Sequence, residues 1–420
     1  MVKSREPKIL PLDVPVEEET LPGYDPKRFY PVNPGQVLRG QYKVLAKLGW
    51  GSTSTVWLAE DTSRWFWQTK RYVAVKVAVS NDQDIAKHEH NISRYLQANP
   101  SHEGFRFVRT AINYFEITGP HGTHPCLVYE PMRETFKLFQ RRVPDGKIPG
   151  PLLKLFLQHI LLGLDYLHSE CGIVHTDIKQ DNIMLTFEDP SVLENFVQNL
   201  AEAPMLRKMR DDSLVYLSRY DFGGFKSFRT LLNLVDFGLA QHTDGPEPLR
   251  HPIQPPLFHA PEVILGTGWS YSADIWNLGV LIWNLLENRD LFRDICSNQG
   301  AYDSRKHLAE MISLLGPPPK ELLDREEKWS RVEWRRDFPS VEGKLCWTAR
   351  ECYGGPFFSS EGVFLYKDLI PSSFNLPDSV LSLEGKDKEL FLDFASHMLQ
   401  WLPEKRKTAK DLLKHPWLTM

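Results

Sequence analysis

The hydrophobic pattern of this chain changes period at Pro131. Upstream of that proline, the runs YKVLAKLG, STVWLAED, YVAVKVAV and PCLVYEPM are short, rich in β-branched and aromatic residues, and alternating or continuously apolar. Such runs predict strands. One stretch among them, DIAKHEHNISRYLQA, instead places Ile85, Ile92 and Leu96 on a single helical face. Downstream the spacing is helical: Phe156, Ile160, Leu164 and Leu167 recur along one face, as do Phe391, Phe394 and Met398. The run SADIWNLGVLIWNLLE is apolar almost all round and predicts a buried helix. Strands first and helices after specify an α+β chain in two parts. A small, mostly antiparallel sheet with one helix is expected over 42–130, and a larger, mostly helical part over 133–418.

The 420 residues, 42% apolar and 25% charged, are enough for two such cores. A net charge of −4 predicts no direct nucleic-acid binding and no attraction to an anionic membrane. Cys126, Cys171, Cys296, Cys346 and Cys352 form no C-x-x-C pair, so reduced thiols of the cytoplasm or nucleus are expected. The start, MVKSREPKIL, lacks the apolar stretch of a secretory signal. Every long apolar segment is broken by polar residues, so none is expected to span a bilayer. Residues 1–41, with many prolines and the acidic run Glu17, Glu18 and Glu19, read as an extended N-terminal arm outside any core. The irregular stretch of about 186–232 reads as an insertion.

Three short segments carry chemistry. LGWGSTSTVW, residues 48–57, sits between two strand-like runs with Gly49 and Gly51, and has Ser54 where a third glycine would complete G-x-G-x-x-G. Its glycines let backbone N–H groups approach a phosphate, though alone the loop is also an ordinary turn. VAVKV puts Lys76 in an apolar strand, where an ammonium is costly unless it is paired or snorkels to water. The glutamate of the following helix is Glu89. HTDIKQDN, residues 175–182, gathers Asp177, Lys179 and Asn182. Phosphoryl transfer needs such a set: a carboxylate for the attacking hydroxyl, a cation for the transferred phosphate, and an amide oxygen for a metal.

The triplet Asp-Phe-Gly then occurs twice, at 221–223 and 236–238. The second follows the wholly apolar run LLNLV, as a buried strand feeding an interior site should. The first follows Arg219 and Tyr220 and is trailed by another glycine, which predicts an exposed turn. The metal ligand is therefore assigned to Asp236. Further on, APE at 260–262, Asp274 at the start of the buried helix, and Arg406 complete the order; Asp274 is expected to accept backbone N–H groups of the 175–182 loop, and Arg406 to pair with Glu262.

Taken in order, these segments resemble the signature set of eukaryotic protein kinases over about residues 42–418. KLGWGSTSTVWLAED, the threonine in HTD, and GYDPKRFYPVNPGQVL resemble the SR-protein kinases, within the wider group that contains the mitogen-activated and cyclin-dependent kinases. The arm, the insertion ending in YLSRYDFGGFKSF, and YSADIWNLGVLIWNLLE look most like the fungal branch. The resemblance implies the bilobal protein kinase fold and a serine/threonine protein kinase that uses ATP and Mg2+. Leu48, Gly49, Trp50, Gly51, Ser52, Ser54, Val56, Ala74, Lys76, Glu89, Tyr129, Glu130 and Met132 would bind the nucleotide, with Tyr129 at the gatekeeper position and Glu130 to Met132 as hinge. Asp177 would be the base, Lys179 would contact the γ-phosphate, and Asn182 and Asp236 would hold magnesium. A monomer acting on protein serine or threonine, including arginine-serine repeats, is the implied partner relation.

Four positions depart from the pattern. Thr176 stands for the arginine that reads activation-loop phosphate, which implies activity independent of that modification. Gln180 replaces a proline, and His259 replaces an arginine before APE, in the substrate-binding loop. Ser93 replaces a large apolar residue four after Glu89, which predicts a less firmly held helix. A pseudokinase or ATP-binding scaffold with little turnover is the alternative, and Ser93 and His259 are the positions that support it. The insert meant to supply an acidic groove carries Asp303, Glu310, Glu321, Asp324, Glu326 and Glu327, but also Arg305, Lys306, Lys320, Arg325 and Lys328, a mixed surface.

Overall fold

The structure is a computed structural model that describes residues 9–65, 67–80, 83–200, 202, 204–210, 213–227, 229–243 and 248–419. Residues 1–8 of the expected arm and 201, 203, 211, 212 and 228 of the expected insertion lie outside the described residues. The chain divides into two units. One comprises the described residues of Met1–Gln97, Val108–Thr135 and Met184–Gly238; the other comprises Ala98–Phe107, Phe136–Ile183 and the described residues of Leu239–Met420. Among the described residues, no helix is long and apolar enough to cross a membrane.

The first unit is built on six antiparallel strands: β1 (Val37–Leu38), β2 (Tyr42–Trp50), β3 (Ser54–Asp61), β4 (Arg71–Ala78), β5 (Asn113–Gly119) and β6 (Gly122–Tyr129). Their order is β1-β2-β3-β4-β6-β5, so each neighbour except β6 beside β4 is also the next strand in sequence. Helix α1 (Gln83–Tyr95) follows β4. Side chains of a strand alternate between faces. On one face Lys76 and Ala78 of β4 and Leu127 and Tyr129 of β6 project toward α1, where Ala86 packs.

The other face carries Val44, Trp57, Val73, Val75, Val77, Cys126 and Val128, and it too is buried. What covers it is the first difference from the sequence expectation. Val32 and Tyr30 of the arm, and Leu200, Met205, Leu214 and Tyr216 of the 184–238 segment, pack against these residues. The arm is thus part of a core, and the insertion belongs to the sheet unit and not to the helical one. The physical reason is visible in β4, whose run VAVKVAV is apolar on both faces and needs two covers. Each side chain buried there contributes about 1.5–3 kcal/mol.

Charge fixes the arm in place. Lys47 of β2 is 1% exposed, and its ammonium contacts Glu17 at 2.8 Å and Glu18 at 2.5 Å. Lys208, on the strand Arg207–Arg210 of the insertion, is 0% exposed and contacts Glu19 at 2.7 Å. Arg210 takes the other oxygen of Glu19 at 3.0 Å. The acidic run is therefore an interior counter-charge, and buried ions demand such partners. Desolvation outweighs Lys47 at Glu18 and raises its carboxyl pKa. At Glu19 desolvation is outweighed by hydrogen bonds from Lys208 and the Val16 N–H, and the pKa falls.

The second unit is helical. Helix Gly150–Ser169 buries Phe156, Ile160, Leu164 and Leu167, and helix Ser272–Glu287 is buried on nearly every side. The short helix Glu103–Phe107 crosses the first of these so closely that a Cβ on Gly104 would lie 2.1 Å from the Leu162 carbonyl oxygen. Arg406 and Glu262, both 0% exposed, form a bidentate pair with two 2.6 Å contacts. A guanidinium matches a carboxylate fork in this way.

Candidate functional site

In the sheet unit, the turn between β2 and β3 carries the glycine loop. The Gly51 N–H donates to the Ser54 carbonyl at 2.8 Å, and among the described residues nothing lies within 4 Å of a Cβ built on Gly49 or Gly51. Lys76, at the centre of β4, extends toward α1 and meets Glu89 at 2.7 Å. Its ammonium also lies 2.9 Å from Asp236. Burial pulls the Lys76 pKa down, but the carboxylates of Asp236 and Glu89 outweigh it and hold the ammonium above the ordinary lysine range. Asp236 has a φ of 66°, a left-handed conformation that a non-glycine residue keeps only where its surroundings impose it. Phe237 is buried at 3% exposure, and a Cβ on Gly238 would lie 3.2 Å from Ile85 of α1.

Tyr129 adds a contact that sequence reasoning missed. Its hydroxyl donates to the second oxygen of Glu89 at 2.6 Å. Burial and that carboxylate raise the phenol pKa well above its usual value. Glu89 is thus held from two sides, which bears on Ser93: that side chain turns back to donate to the His90 carbonyl at 2.7 Å and offers α1 no apolar anchor.

Two arginines were also missed. Arg109 stands 4.6 Å over the Tyr129 ring and donates Nε and Nη2 to the Glu130 carbonyl at 3.2 and 2.8 Å. Arg133 is 2% exposed; it donates to Glu188 and, at 2.6 Å, to the Gly223 carbonyl, and it stacks 3.9 Å over Phe225. Neither arginine belongs to a recognisable motif. Their only sequence signal is a cation beside an apolar run.

The first triplet is explained by Arg133. Asp221 is exposed, and its carboxylate accepts the Gly223 N–H at 3.0 Å in a local turn. Phe222 packs on Phe187 and Phe196 at 4.9 and 4.5 Å. Asp221 thus closes a turn whose carbonyl anchors Arg133.

In the helical unit, Asp177 receives Lys179 on both oxygens, at 3.0 and 2.7 Å. Asn182 donates to the Asp177 carboxylate at 2.7 Å and to its main-chain carbonyl at 2.9 Å. Beneath them, fully buried Asp274 accepts the N–H groups of His175 and Thr176 at 2.8 and 2.9 Å. Asn277 donates to the Ile178 carbonyl at 2.6 Å. One buried helix therefore fixes the whole loop. Thr176 has a φ of 69° and donates its hydroxyl to the Leu239 carbonyl at 2.9 Å, a neutral clamp where an arginine was expected. Gln180 donates to Gln140 at 2.5 Å.

His259 is buried, edge-on to Tyr302 and Tyr353 at 5.1 and 5.3 Å. Burial depresses its pKa to about 4, so it is neutral at physiological pH. The mixed-charge insert largely neutralises itself. Arg305 pairs with Asp303, Lys320 with Asp324, and Arg325 with Glu321. Glu310 accepts the N–H groups of Arg293 and Asp294, and Glu326 is buried. Elsewhere Asp393, His397 and His415 converge, yet His415 Nδ1 accepts the Trp417 N–H at 3.2 Å. Its Nε2 therefore carries the proton and faces Asp393 at 3.0 Å, which makes the cluster a hydrogen-bonded tie and not a metal site.

Comparison with known proteins places these residues in a wider setting. Residues 42–418 match the protein kinase domain family. A serine/threonine protein kinase of Aspergillus fumigatus is 37% identical over 413 residues, covering 98% of this chain and 92% of that one. The serine/threonine-protein kinase SRPK of Physarum polycephalum is 29% identical over 423 residues, covering 96% and 91%. SRSF protein kinase 3 of Mus musculus is 36% identical over 176 residues, covering 41% of this chain and 30% of that one. The crystal structure of a kinase domain aligns with a TM-score of 0.66 at 23% identity, covering 94% of this chain and all of the other, a likeness of fold.

Proposed function

The chain belongs to the protein kinase family as a serine/threonine protein kinase, and from that premise we propose which of its residues carry the transfer and what they act on. Lys76 binds the α- and β-phosphates of ATP under the loop of Leu48, Gly49, Trp50, Gly51, Ser52 and Ser54. Val56 and Ala74 cover the base, beside Tyr129 and the hinge, Glu130 to Met132. The acceptor is a serine or threonine hydroxyl of a protein. Asp177 orients that hydroxyl and takes its proton as the oxygen attacks the γ-phosphorus and the bond to the β-phosphate oxygen breaks. Lys179 offsets the charge of the phosphoryl group in transit.

Asn182 and Asp236 would hold magnesium, since a carboxylate and an amide oxygen are the hard donors that this cation prefers. The ion would neutralise phosphate charge. The observation that carries the proposal is the placement of Lys76, with its ammonium 2.7 Å from Glu89 and 2.9 Å from Asp236. A lysine with two carboxylates is kept charged and aimed, as phosphate binding requires.

The names of the Physarum and mouse relatives favour arginine-serine substrates. The self-paired charges of the 303–328 segment argue against a strong acidic groove, so the preference for basic context is modest. A peptide array with radiolabelled ATP tests both parts. Asp177→Asn should lower turnover by roughly 10²–10⁴ while ATP still binds. An arginine-serine peptide phosphorylated no better than an acidic one refutes the substrate preference, and an undiminished Asp177→Asn refutes the mechanism.

A further inference from the structure

Arg109 is a cation of the sheet unit that the transfer does not use. Its backbone is fixed, since the Arg109 N–H donates to the Leu234 carbonyl at 3.0 Å and Val108 bridges Leu234. Its side chain lies over the Tyr129 ring, 4.6 Å from the centroid, and ends on the Glu130 carbonyl through two N–H groups at 3.2 and 2.8 Å. A carbonyl oxygen has two lone-pair directions, and two donors on one oxygen use both. The Glu130 side chain is engaged as well, by Arg71. Tyr129 is the residue of β6 that pairs with Ala74 of β4, so the guanidinium stands at the wall that receives the nucleobase in the reading above.

The consequence is a reversal of polarity. An open main-chain carbonyl accepts from an exocyclic amine such as adenine N6. With Nε and one N–H of Nη2 spent on that carbonyl, the guanidinium still carries the N–H groups of Nη1 and the second of Nη2, an end-on pair of donors in the carbonyl's place. Adenine presents an amine donor beside its N7 acceptor, whereas guanine and hypoxanthine present two acceptors, O6 and N7, the pair that an arginine fork matches. A cation held on an aromatic face and bonded twice is also not displaced cheaply.

We propose that Arg109 reads the 6-position of the purine, so that this kinase accepts 6-oxo purine nucleoside triphosphates alongside ATP. The proposal rests on the nucleotide-binding reading above and adds the determinant of base choice. Only the sheet unit is involved: Arg109, Tyr129, Glu130 and Ala74 all belong to it.

The test measures kcat/KM for ATP, inosine triphosphate and GTP on one protein substrate, in the wild type and in Arg109→Leu. Inosine triphosphate isolates the 6-position, because it lacks the 2-amino group of guanine. The wild type should use inosine triphosphate within about tenfold of ATP. Arg109→Leu should lower the ratio of inosine triphosphate to ATP at least about tenfold, the scale of one mismatched bidentate contact. A smaller fall in that ratio, or a wild type that prefers ATP by more than about tenfold, overturns the proposal. If Arg109→Leu does not fold, Arg109→Lys is read in the same way, since it keeps the charge and loses the fork. Thermal shift of the wild type by each magnesium nucleotide gives a second reading without turnover, with comparable shifts expected for ATP and inosine triphosphate. No transfer from any of the three triphosphates refutes the kinase reading itself.

Discussion

Replacing Lys47 with methionine should unseat the N-terminal arm. The Lys47 ammonium has three acceptors, Glu17 at 2.8 Å, Glu18 at 2.5 Å and the Tyr216 carbonyl at 3.0 Å, and the side chain is 1% exposed. Lys47→Met leaves the Glu18 carboxylate, 8% exposed, without its cation. Breaking a buried pair from one side costs about 3–5 kcal/mol. Protonation of Glu18 offers an escape, and it is a short step because desolvation already raises that pKa. A carboxyl whose folded pKa lies above its unfolded value destabilises the fold increasingly as pH rises. The deficit of Lys47→Met should therefore be about 3 kcal/mol near pH 7.5 and shrink toward pH 5. The double variant Lys47→Met with Glu18→Leu should recover at least half of the loss, because it removes both members of the pair. Urea denaturation of the four proteins of this cycle at the two pH values is the assay. A loss below about 0.5 kcal/mol, or a double variant less stable than Lys47→Met, would mean that the arm is not held against β2 by this pair.

Two further outcomes follow from other contacts. His259, buried and with a pKa near 4 against an ordinary 6.5, binds no proton in the folded state where the unfolded chain does. Stability is therefore lost as pH falls from 6.5 toward 4, and His259→Gln should flatten that loss by up to about 3 kcal/mol in pH-dependent unfolding; an unchanged slope contradicts the burial argument. Tyr129→Phe removes the 2.6 Å hydrogen bond to Glu89 and should lower kcat/KM for the nucleotide about tenfold, since a bond to a charged group is worth about 1.5–3 kcal/mol; an unchanged value would mean that Lys76 alone positions Glu89.

How much of this was legible in the sequence depended on whether a residue's partner lay within a motif. Lys76 with Glu89, Asp274 with the 175–182 loop, and Arg406 with Glu262 were all expected, because each joins two recognisable segments. That Asp221 lies in an exposed turn, and that Asp236 follows a buried strand, was legible from the residues that precede each. The arm was read as lying outside any core from its prolines and its three consecutive glutamates, whose cations, Lys47, Lys208 and Arg210, stand outside the arm. The apolar runs on both faces of β4 did signal that a second cover existed, but not which segment supplied it. Arg109 and Arg133 were invisible for a related reason. Each donates to a main-chain carbonyl, and a carbonyl leaves no mark in the sequence.

The assignment of the two triplets is tested most directly by turnover of a pair of variants. Magnesium-dependent phosphoryl transfer is measured for Asp236→Asn and Asp221→Asn under identical conditions. Asp236→Asn should lose at least about a hundredfold in rate, and Asp221→Asn should stay within about twofold of the wild type. The reverse order would contradict the assignment of the metal ligand and of the turn that anchors Arg133.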